Sequence, residues 1–223
     1  MGDMPNQPLV SIDAVPLIVV NDALHVVTAR REWDPYSNEH ALPGVLLNAH
    51  ERLREAVTRA LADKAGVIEE TVAELVAVFD DFERDERGPT LSMAHLVILE
   101  NLPHDDRVKV EPLSNLPQLP FDHNTIIART AGMLLDSLWV NQPLTRRLLG
   151  EQFTTADVVA RMKELAVAAS RPEPVVNNVG RALASNKAVE KLPAIAVGTG
   201  RPPASWKWVQ SGRPLENRAA PGA

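Results

Sequence analysis

The segment ALPGVLLNAHERLREAVTRALADKAGV, residues 41–67, decides the fold of the chain. Its apolar residues recur at the spacing of one helix face: Leu53, Val57, Ala60 and Leu61. This pattern predicts an amphipathic helix from Asn48 to Ala65. Asn48 is suited to cap its start, and Gly66 is suited to end it in the left-handed conformation.

The same segment resembles the box of the Nudix family. In that box a glycine is followed after five residues by a glutamate, and after seven more by Arg-Glu-apolar-x-Glu-Glu-x-Gly-apolar. With Val45 at the position of the first glycine, five positions of the chain match: Glu51, Arg59, Leu61, Gly66 and Val67. Three do not, because Ala60, Asp63 and Lys64 stand where the family has its clustered glutamates.

The three changed positions decide the expected chemistry. Residues three and four apart lie on one side of a helix, and in an enzyme of this family they would hold Mg²⁺ against a diphosphate. Here one ligand is replaced by a methyl group and another by an ammonium group. We therefore expect no metal site, no cofactor and no hydrolysis by the usual metal-assisted route, so that the chain is not an enzyme.

The flanking sequence is similar to one branch of that family. Four phrases carry this similarity: ARREWDPYSNEHALPG from residue 29, VFDDFERDERGPTLSMAHLVIL from residue 78, PFDHNTII from residue 120 and LLGEQFTTADVV from residue 148. Together they resemble the Nudix-related transcriptional regulators of NAD metabolism, the NrtR type, over about residues 10–210. Two positions depart from the pattern, with His40 in place of a tryptophan and Glu86 in place of a proline.

The resemblance and the residue pattern together predict an α+β protein with two domains. A Nudix-like α/β/α sandwich with a mixed sheet should occupy 9–142, and a winged helix-turn-helix domain should occupy 143–210, followed by a disordered tail at 211–223. Short β-branched runs predict strands, and Asn21-Asp22 predicts a hairpin turn between the first two. The strand segments are SIDAVPLIVV, ALHVVTAR, VAELVAVF and LSMAHLVILE. Pro16 suggests that the first strand lies at an edge or contains a bulge.

The remaining helices are predicted from caps and prolines. Asp122 is expected to cap a helix that Pro143 ends, and Thr154 with Asp157 forms a capping-box variant that opens the next helix. A further helix is expected to start near Pro174. A hairpin around AIAVGTGRPPASWKWV, residues 194–209, should follow, with Trp206 and Trp208 on one face.

Charge is distributed unevenly along the chain. Residues 1–143 hold 11 basic and 23 acidic residues, a net charge of −12, whereas residues 144–223 hold 12 and 6, a net charge of +6. An acidic part joined to a basic part suggests a nucleic-acid partner for the basic part. The chain has no cysteine, which excludes a disulfide framework, a cysteine nucleophile and cysteine-ligated zinc. Its apolar run Ala14–Val20 is too short for a bilayer span of roughly 20 residues. We expect a cytoplasmic protein with no membrane partner.

The resemblance also implies partners. In that family the Nudix-like domain senses an ADP-ribose-type nucleotide effector, and the winged helix binds double-stranded operator DNA. The resemblance implies a palindromic operator that is bound by a homodimer. A repressor of NAD biosynthesis or salvage genes is therefore expected. The candidate ligand-binding residues are Arg31, Glu51, Lys64, Arg84 and Arg87, since guanidinium and ammonium groups suit phosphate. The candidate DNA-binding residues are Thr155, Asn177, Asn178, Arg181, Lys187 and Arg201.

Two alternatives stay open at this point. One is a Nudix-type hydrolase of ADP-ribose or another nucleoside diphosphate derivative that draws its metal ligands from Glu51, Asp63 and the loop from Glu83 to Glu86. The other is a non-catalytic binding protein whose basic domain contacts a protein instead of DNA.

Overall fold

Residues 7–69, 71–193 and 204–209 are described in a computed structural model of the chain. These residues divide into two compact units. The first contains the described residues up to Leu148 together with Ala160–Pro174, and the second contains Leu149–Val159 and the described residues from Val175 onward. No helix in this part of the chain is long and apolar enough to cross a membrane.

The first unit is built on a seven-stranded sheet in which β3-β2-β1-β6-β5 are neighbours, while β4 pairs with β1 and β7 with β2. Its strands are β1 (Leu9–Val20), β2 (Ala23–Arg30), β3 (His40–Ala41), β4 (Gly44–Leu46), β5 (Ala73–Phe79), β6 (Thr90–Ile98) and β7 (Val108–Pro112). β1 and β6 are parallel, and the other pairs are antiparallel. The sheet is therefore mixed, as predicted.

β1 lies in the middle of this sheet, so the expectation that Pro16 marks an edge or a bulge is wrong. One side of β1 pairs continuously with β6, and the other side pairs first with β4, through Ser11–Asp13, and then with β2, through Leu17–Val20. Pro16 falls in the gap between those two partners. A residue without an N–H is tolerated there because no ladder hydrogen bond is lost. The predicted turn at Asn21-Asp22 is confirmed, with φ values of 49° and 59°.

Helices cover the two faces of the sheet. Along β1, Val15 and Leu17 join one buried apolar cluster, and Ile12, Ala14 and Ile18 join another. Side chains alternate along a strand, so these clusters lie on opposite faces. The helix α1 (Leu53–Ala65) packs in the second cluster and α2 (His123–Ser137) in the first.

The start of α1 differs from the prediction. It begins at Leu53, not near Asn48, and the N–H of Arg52 donates to Glu55 Oε2 at 3.0 Å. The N–H of Asn48 instead donates to Glu51 Oε2 at 2.9 Å, which holds the preceding loop in a separate turn. Gly66 ends the helix at φ 63°, as predicted.

The prediction that Pro143 ends a helix is wrong, because this residue lies in the first turn of a helix. α2 stops at Ser137, and a further helix, α3, spans Gln142–Leu149. The proline has no N–H to lose at that position, so it is compatible with a helix start. Asp122 is the N-cap residue of α2, but its carboxylate makes no capping hydrogen bond.

The second unit contains a three-stranded sheet in the order β8-β10-β9, made of β8 (Gln152–Thr154), β9 (Val189–Lys191) and β10 (Ser205–Trp208). The predicted capping box is present, because Thr154 N–H donates to Asp157 Oδ2 and Asp157 N–H donates to Thr154 Oγ1. It opens α4 (Thr155–Ala168). Trp206 and Trp208 are buried and Lys207 is exposed, as the alternation predicts.

The helix expected to start near Pro174 is α5, which spans only Val179–Ser185. Asn178 is its N-cap residue, so Val176 and Asn177 lie outside the helix. Asn178 makes no side-chain capping hydrogen bond, and residues 171–176 have no regular secondary structure. A proline fits such a segment as well as a first helical turn, so Pro174 did not locate the start of the helix. The first strand of the expected hairpin, Arg201 and the tail at 211–223 lie outside the described residues.

Candidate functional site

A small polar cavity of about 80 Å³ lies in the first unit. β1 and β4 contribute Asp13 and Gly44, the loop after β5 contributes three charged residues, and the start of α2 contributes an aromatic pair. The lining includes Arg84, Asp85, Arg87, Phe121 and His123, together with Arg31 from the end of β2. Three of the five residues expected to bind the ligand therefore lie together: Arg31, Arg84 and Arg87.

Asp13 is a buried carboxylate in this cavity, with 4% of its surface exposed. Its Oδ2 accepts hydrogen bonds from Ser92 Oγ at 2.5 Å and Ser11 Oγ at 3.1 Å. Gly44 lies directly beside it, since a Cβ at that position would lie 2.3 Å from Asp13 Oδ1. Asp13 is thus held in one place by its neighbours.

Arg84 is committed to carboxylates. It donates to Asp122 through Nε at 3.0 Å and Nη2 at 2.6 Å, and Nη2 lies 3.6 Å from Asp13 Oδ2. Burial acts to lower the pKa of Arg84, but the hydrogen bond that Arg84 donates to Asp122 and the charge of Asp13 outweigh this effect, so the pKa is raised. Arg84 therefore organises the cavity and has little charge left for a phosphate.

Arg87 has its own carboxylate partner. Its Nε and Nη2 donate to Asp85 at 2.9 and 2.6 Å. Asp85 is buried, whereas the side chain of Arg87 is 43% exposed. Burial raises the pKa of Asp85, and the hydrogen bonds and charge of Arg87 lower it by more, so that the net shift is downward.

Arg31 differs from both, because no ion pair of its side chain is found among the described residues. Its Nε donates to the Pro35 carbonyl at 2.9 Å, and its guanidinium carbon lies 4.8 Å from the centre of the Phe121 ring. Burial and the neighbouring charge of Arg87 lower its pKa. Arg31 is held by neutral groups, so its positive charge remains available to a ligand.

His123 provides a neutral donor. Its Nδ1 accepts the Leu42 N–H at 3.0 Å, which places the ring proton on Nε2. Burial lowers the pKa of His123 and favours this uncharged form. Asp13, Phe121 and His123 were not among the predicted site residues. The carboxylate of Asp13 within the apolar run SIDAVPLIVV is a sequence signal that could have identified it.

Glu51 lies outside the cavity lining. Its Oε1 accepts from Arg59 Nε at 2.7 Å and its Oε2 accepts from Arg59 Nη2 at 2.8 Å. The same Arg59 Nη2 donates to the Leu46 carbonyl at 2.8 Å, so the pair closes the loop onto α1. This pair supports the loop before the helix and leaves Glu51 with a structural role.

The residues of this segment do not fit a magnesium ion. Ala60 is fully buried, Asp63 is exposed, and Lys64 brings a positive charge to the third position. Glu51 is held by Arg59. Magnesium requires converging oxygen ligands, and across residues 7–69, 71–193 and 204–209 no group of three or more acidic, histidine or cysteine side chains could hold a metal ion.

The expected DNA-contact residues that the structure describes follow one another at the surface of the second unit. Asn177, Asn178, Arg181 and Lys187 are exposed, and Arg181 Nη1 donates to Asn178 Oδ1 at 3.3 Å. Thr155 is different, since its hydroxyl accepts the indole N–H of Trp206 at 2.9 Å. That hydroxyl is used in the packing of the unit.

No protein-family model matches the chain. The ADP-ribose pyrophosphatase of Methanocaldococcus jannaschii is 30% identical over 125 residues, which cover 54% of this chain and 71% of that protein. The NrtR of Shewanella oneidensis, solved with a 27mer DNA, matches with a TM-score of 0.68 at 21% identity, over 90% of this chain and 93% of that one. The NUDIX domain of the same NrtR, solved with ADP ribose, matches with a TM-score of 0.51 at 25% identity, over 58% and 90%.

These matches agree with the fold of the first unit. The predicted Nudix-like mixed sheet is confirmed, and the resemblance to the NrtR-type regulators extends along most of the chain. The identity to the pyrophosphatase, over more than two thirds of that protein, establishes the family relationship. The chain belongs to the Nudix family.

Proposed function

We propose that this chain is a DNA-binding transcription regulator whose Nudix-like unit senses ADP-ribose or a related nucleotide without cleaving it. The ligand-sensing part is expected within 9–142 and a winged helix-turn-helix within 143–210. The protein acts in the cytoplasm as a homodimer on a palindromic operator and represses genes of NAD biosynthesis or salvage.

One observation carries the proposal: the box keeps its structural residues and has lost its metal ligands. Gly66 still ends α1, and Arg59 still pairs with Glu51. The positions that would hold the metal are a buried Ala60, an exposed Asp63 and a lysine. A pocket without these metal ligands can still recognise a diphosphate, but it lacks the cation that would activate water.

The second unit supports the DNA-binding part. It combines the start of α4, the short helix α5 and a three-stranded sheet, in the chain order of a winged helix. The segment from residue 144 carries a net charge of +6. The S. oneidensis NrtR with which the fold agrees was solved with DNA.

Regulation follows from coupling between the two parts. Ligand binding would change the separation of the two DNA-binding parts of the dimer. A mismatch with the half-site spacing of the operator would then weaken DNA binding.

A gel shift tests the proposal. DNA from upstream of the gene itself and of neighbouring NAD genes is titrated with the protein, with and without saturating ADP-ribose. We expect a shift that ADP-ribose reverses. Equal affinity in both conditions contradicts the sensor role, and failure to shift any DNA at low salt favours a protein partner for the basic part.

A second candidate is hydrolysis of ADP-ribose, favoured by the identity to the M. jannaschii enzyme. Release of AMP from ADP-ribose in the presence of Mg²⁺ would support this candidate. If no AMP is released in this assay although the protein binds ADP-ribose, the result supports the regulator function.

A further inference from the structure

A second cavity, of about 130 Å³, adjoins the polar cavity and shares Arg31, Leu42, Gly44 and Arg87 with it. Its separate lining includes Arg30, Glu32, Trp33 and Lys64. Each cavity is smaller than the 300–1,000 Å³ that is usual for a site enclosing a drug-sized ligand. A nucleotide bound here must therefore extend across both.

The second cavity has a surplus of positive charge. Arg87 forms an ion pair with Asp85, and the carboxylate of Glu32 forms one with Arg107, with an Oε1–Nη1 distance of 3.4 Å. The three other cations, Arg30, Arg31 and Lys64, have no ion pair within the described ranges. Like charges that face one cavity repel one another, and an anion placed between them relieves that repulsion.

Trp33 adds an aromatic surface at the mouth of this cavity. The residue is 74% exposed, and its carbonyl accepts from Arg31 Nη2 at 3.3 Å, which ties the backbone to the cationic cluster. An indole of this size left open to water beside cations offers a face on which a nucleobase can stack.

We propose that the second cavity binds the diphosphate of a nucleoside diphosphate without a divalent cation. Lys64 and Arg30 neutralise the phosphates, and the base stacks on Trp33. The polar cavity, lined by Asp13 and His123, receives the hydroxyl-bearing group on the far side of the diphosphate. This rests on the proposed ligand-sensing function and specifies how the ligand is held.

Isothermal titration of the full chain with ADP-ribose tests the proposal, once in excess EDTA and once in Mg²⁺. We expect affinities that agree within about twofold, because Lys64 supplies the charge that the metal would. Lys64→Met should weaken binding about tenfold or more in both buffers, since a charge-assisted hydrogen bond is lost. Lys109→Met removes an exposed lysine of β7 and is the matched control, with affinity unchanged.

Trp33 is tested by fluorescence. ADP-ribose and ADP should quench the indole emission, ribose 5-phosphate should not, and Trp33→Leu should abolish the quenching and weaken ADP binding more than ribose 5-phosphate binding. Quenching that persists in Trp33→Leu overturns the stacking role.

Two failures can be distinguished. Binding that requires Mg²⁺, or that Lys64→Met leaves intact, overturns this inference and leaves the sensor function standing. Absence of ADP-ribose binding in both buffers, by a protein that still shifts operator DNA, overturns the sensor function itself.

Discussion

The carboxylate of Glu51 and the guanidinium of Arg59 form a bidentate ion pair, with Nε–Oε1 and Nη2–Oε2 distances of 2.7 and 2.8 Å. Both residues match the Nudix box, yet Arg59 also donates to the Leu46 carbonyl, so the contact ties the end of β4 to α1 and commits the Glu51 carboxylate to Arg59. The Glu51–Arg59 pair of the box thus has a structural role in this chain.

Glu51→Gln should destabilise the protein at neutral pH. The hydrogen bond from Arg59, followed by that from the Asn48 N–H, lowers the pKa of Glu51 from 4.5 to about 2. A carboxylate whose pKa is lowered by folding stabilises the folded state at any pH above its unfolded-state pKa. This stabilisation is lost as the pH falls through its folded-state pKa. The difference between wild type and Glu51→Gln in urea unfolding should therefore shrink between pH 4.5 and about 2. Glu83→Gln, at an exposed loop position, should match the wild type throughout.

Gly44→Ala should cost about 1–3 kcal/mol in the free energy of unfolding, as overpacking of a fixed site does. The new Cβ would lie 2.3 Å from Asp13 Oδ1, and Ser92 and Ser11 prevent that carboxylate from moving away. In an Asp13→Ala background the clash is absent, so the same change should cost less. Equal costs in the two backgrounds, measured by a double-mutant cycle, would contradict this explanation.

Gly180→Ala should stabilise the second unit by about 0.5–1 kcal/mol, because alanine favours helix over glycine. An added Cβ would meet Thr155 Cγ2 at 3.8 Å, an ordinary contact. Thermal unfolding checks the prediction, and a lower midpoint for Gly180→Ala would oppose it.

Arg181→Ala and Lys187→Ala should weaken operator binding and reduce its dependence on salt. Each cation that contacts a phosphate contributes about 0.9 to the slope of log affinity against log salt, so each substitution should lower that slope by about one. Fluorescence anisotropy at several salt concentrations measures it. Lys109→Ala, in the first unit, should leave the slope unchanged, and an unchanged slope for all three variants would refute the assignment.

Features set by neighbouring residues could be predicted from the sequence. Gly66 and the Thr154–Asp157 capping box lie where the pattern placed them, since a helix end depends on groups within a few residues. Prolines were harder, because Pro143 suits the start of a helix as well as the residue after one. Only the arrangement of α2 and α3 separates the two cases.

The polar cavity could be predicted only in part. Phosphate chemistry identified Arg31, Arg84 and Arg87, and the structure brings these together. Their partners were missed because Asp122 and Arg84 are far apart in sequence and meet only through the packing of α2 against the loop after β5. That pairing also distinguishes Arg84, which is neutralised, from Arg31, whose charge is free for a ligand.

Phosphorus NMR of ADP-ribose mixed with the full chain and Mg²⁺ tests most directly the claim that the box recognises its ligand without cleaving it. We expect the two diphosphate resonances to broaden or shift on binding and then to persist, with no monophosphate signal after prolonged incubation. Conversion of the diphosphate into AMP and ribose 5-phosphate would contradict that claim.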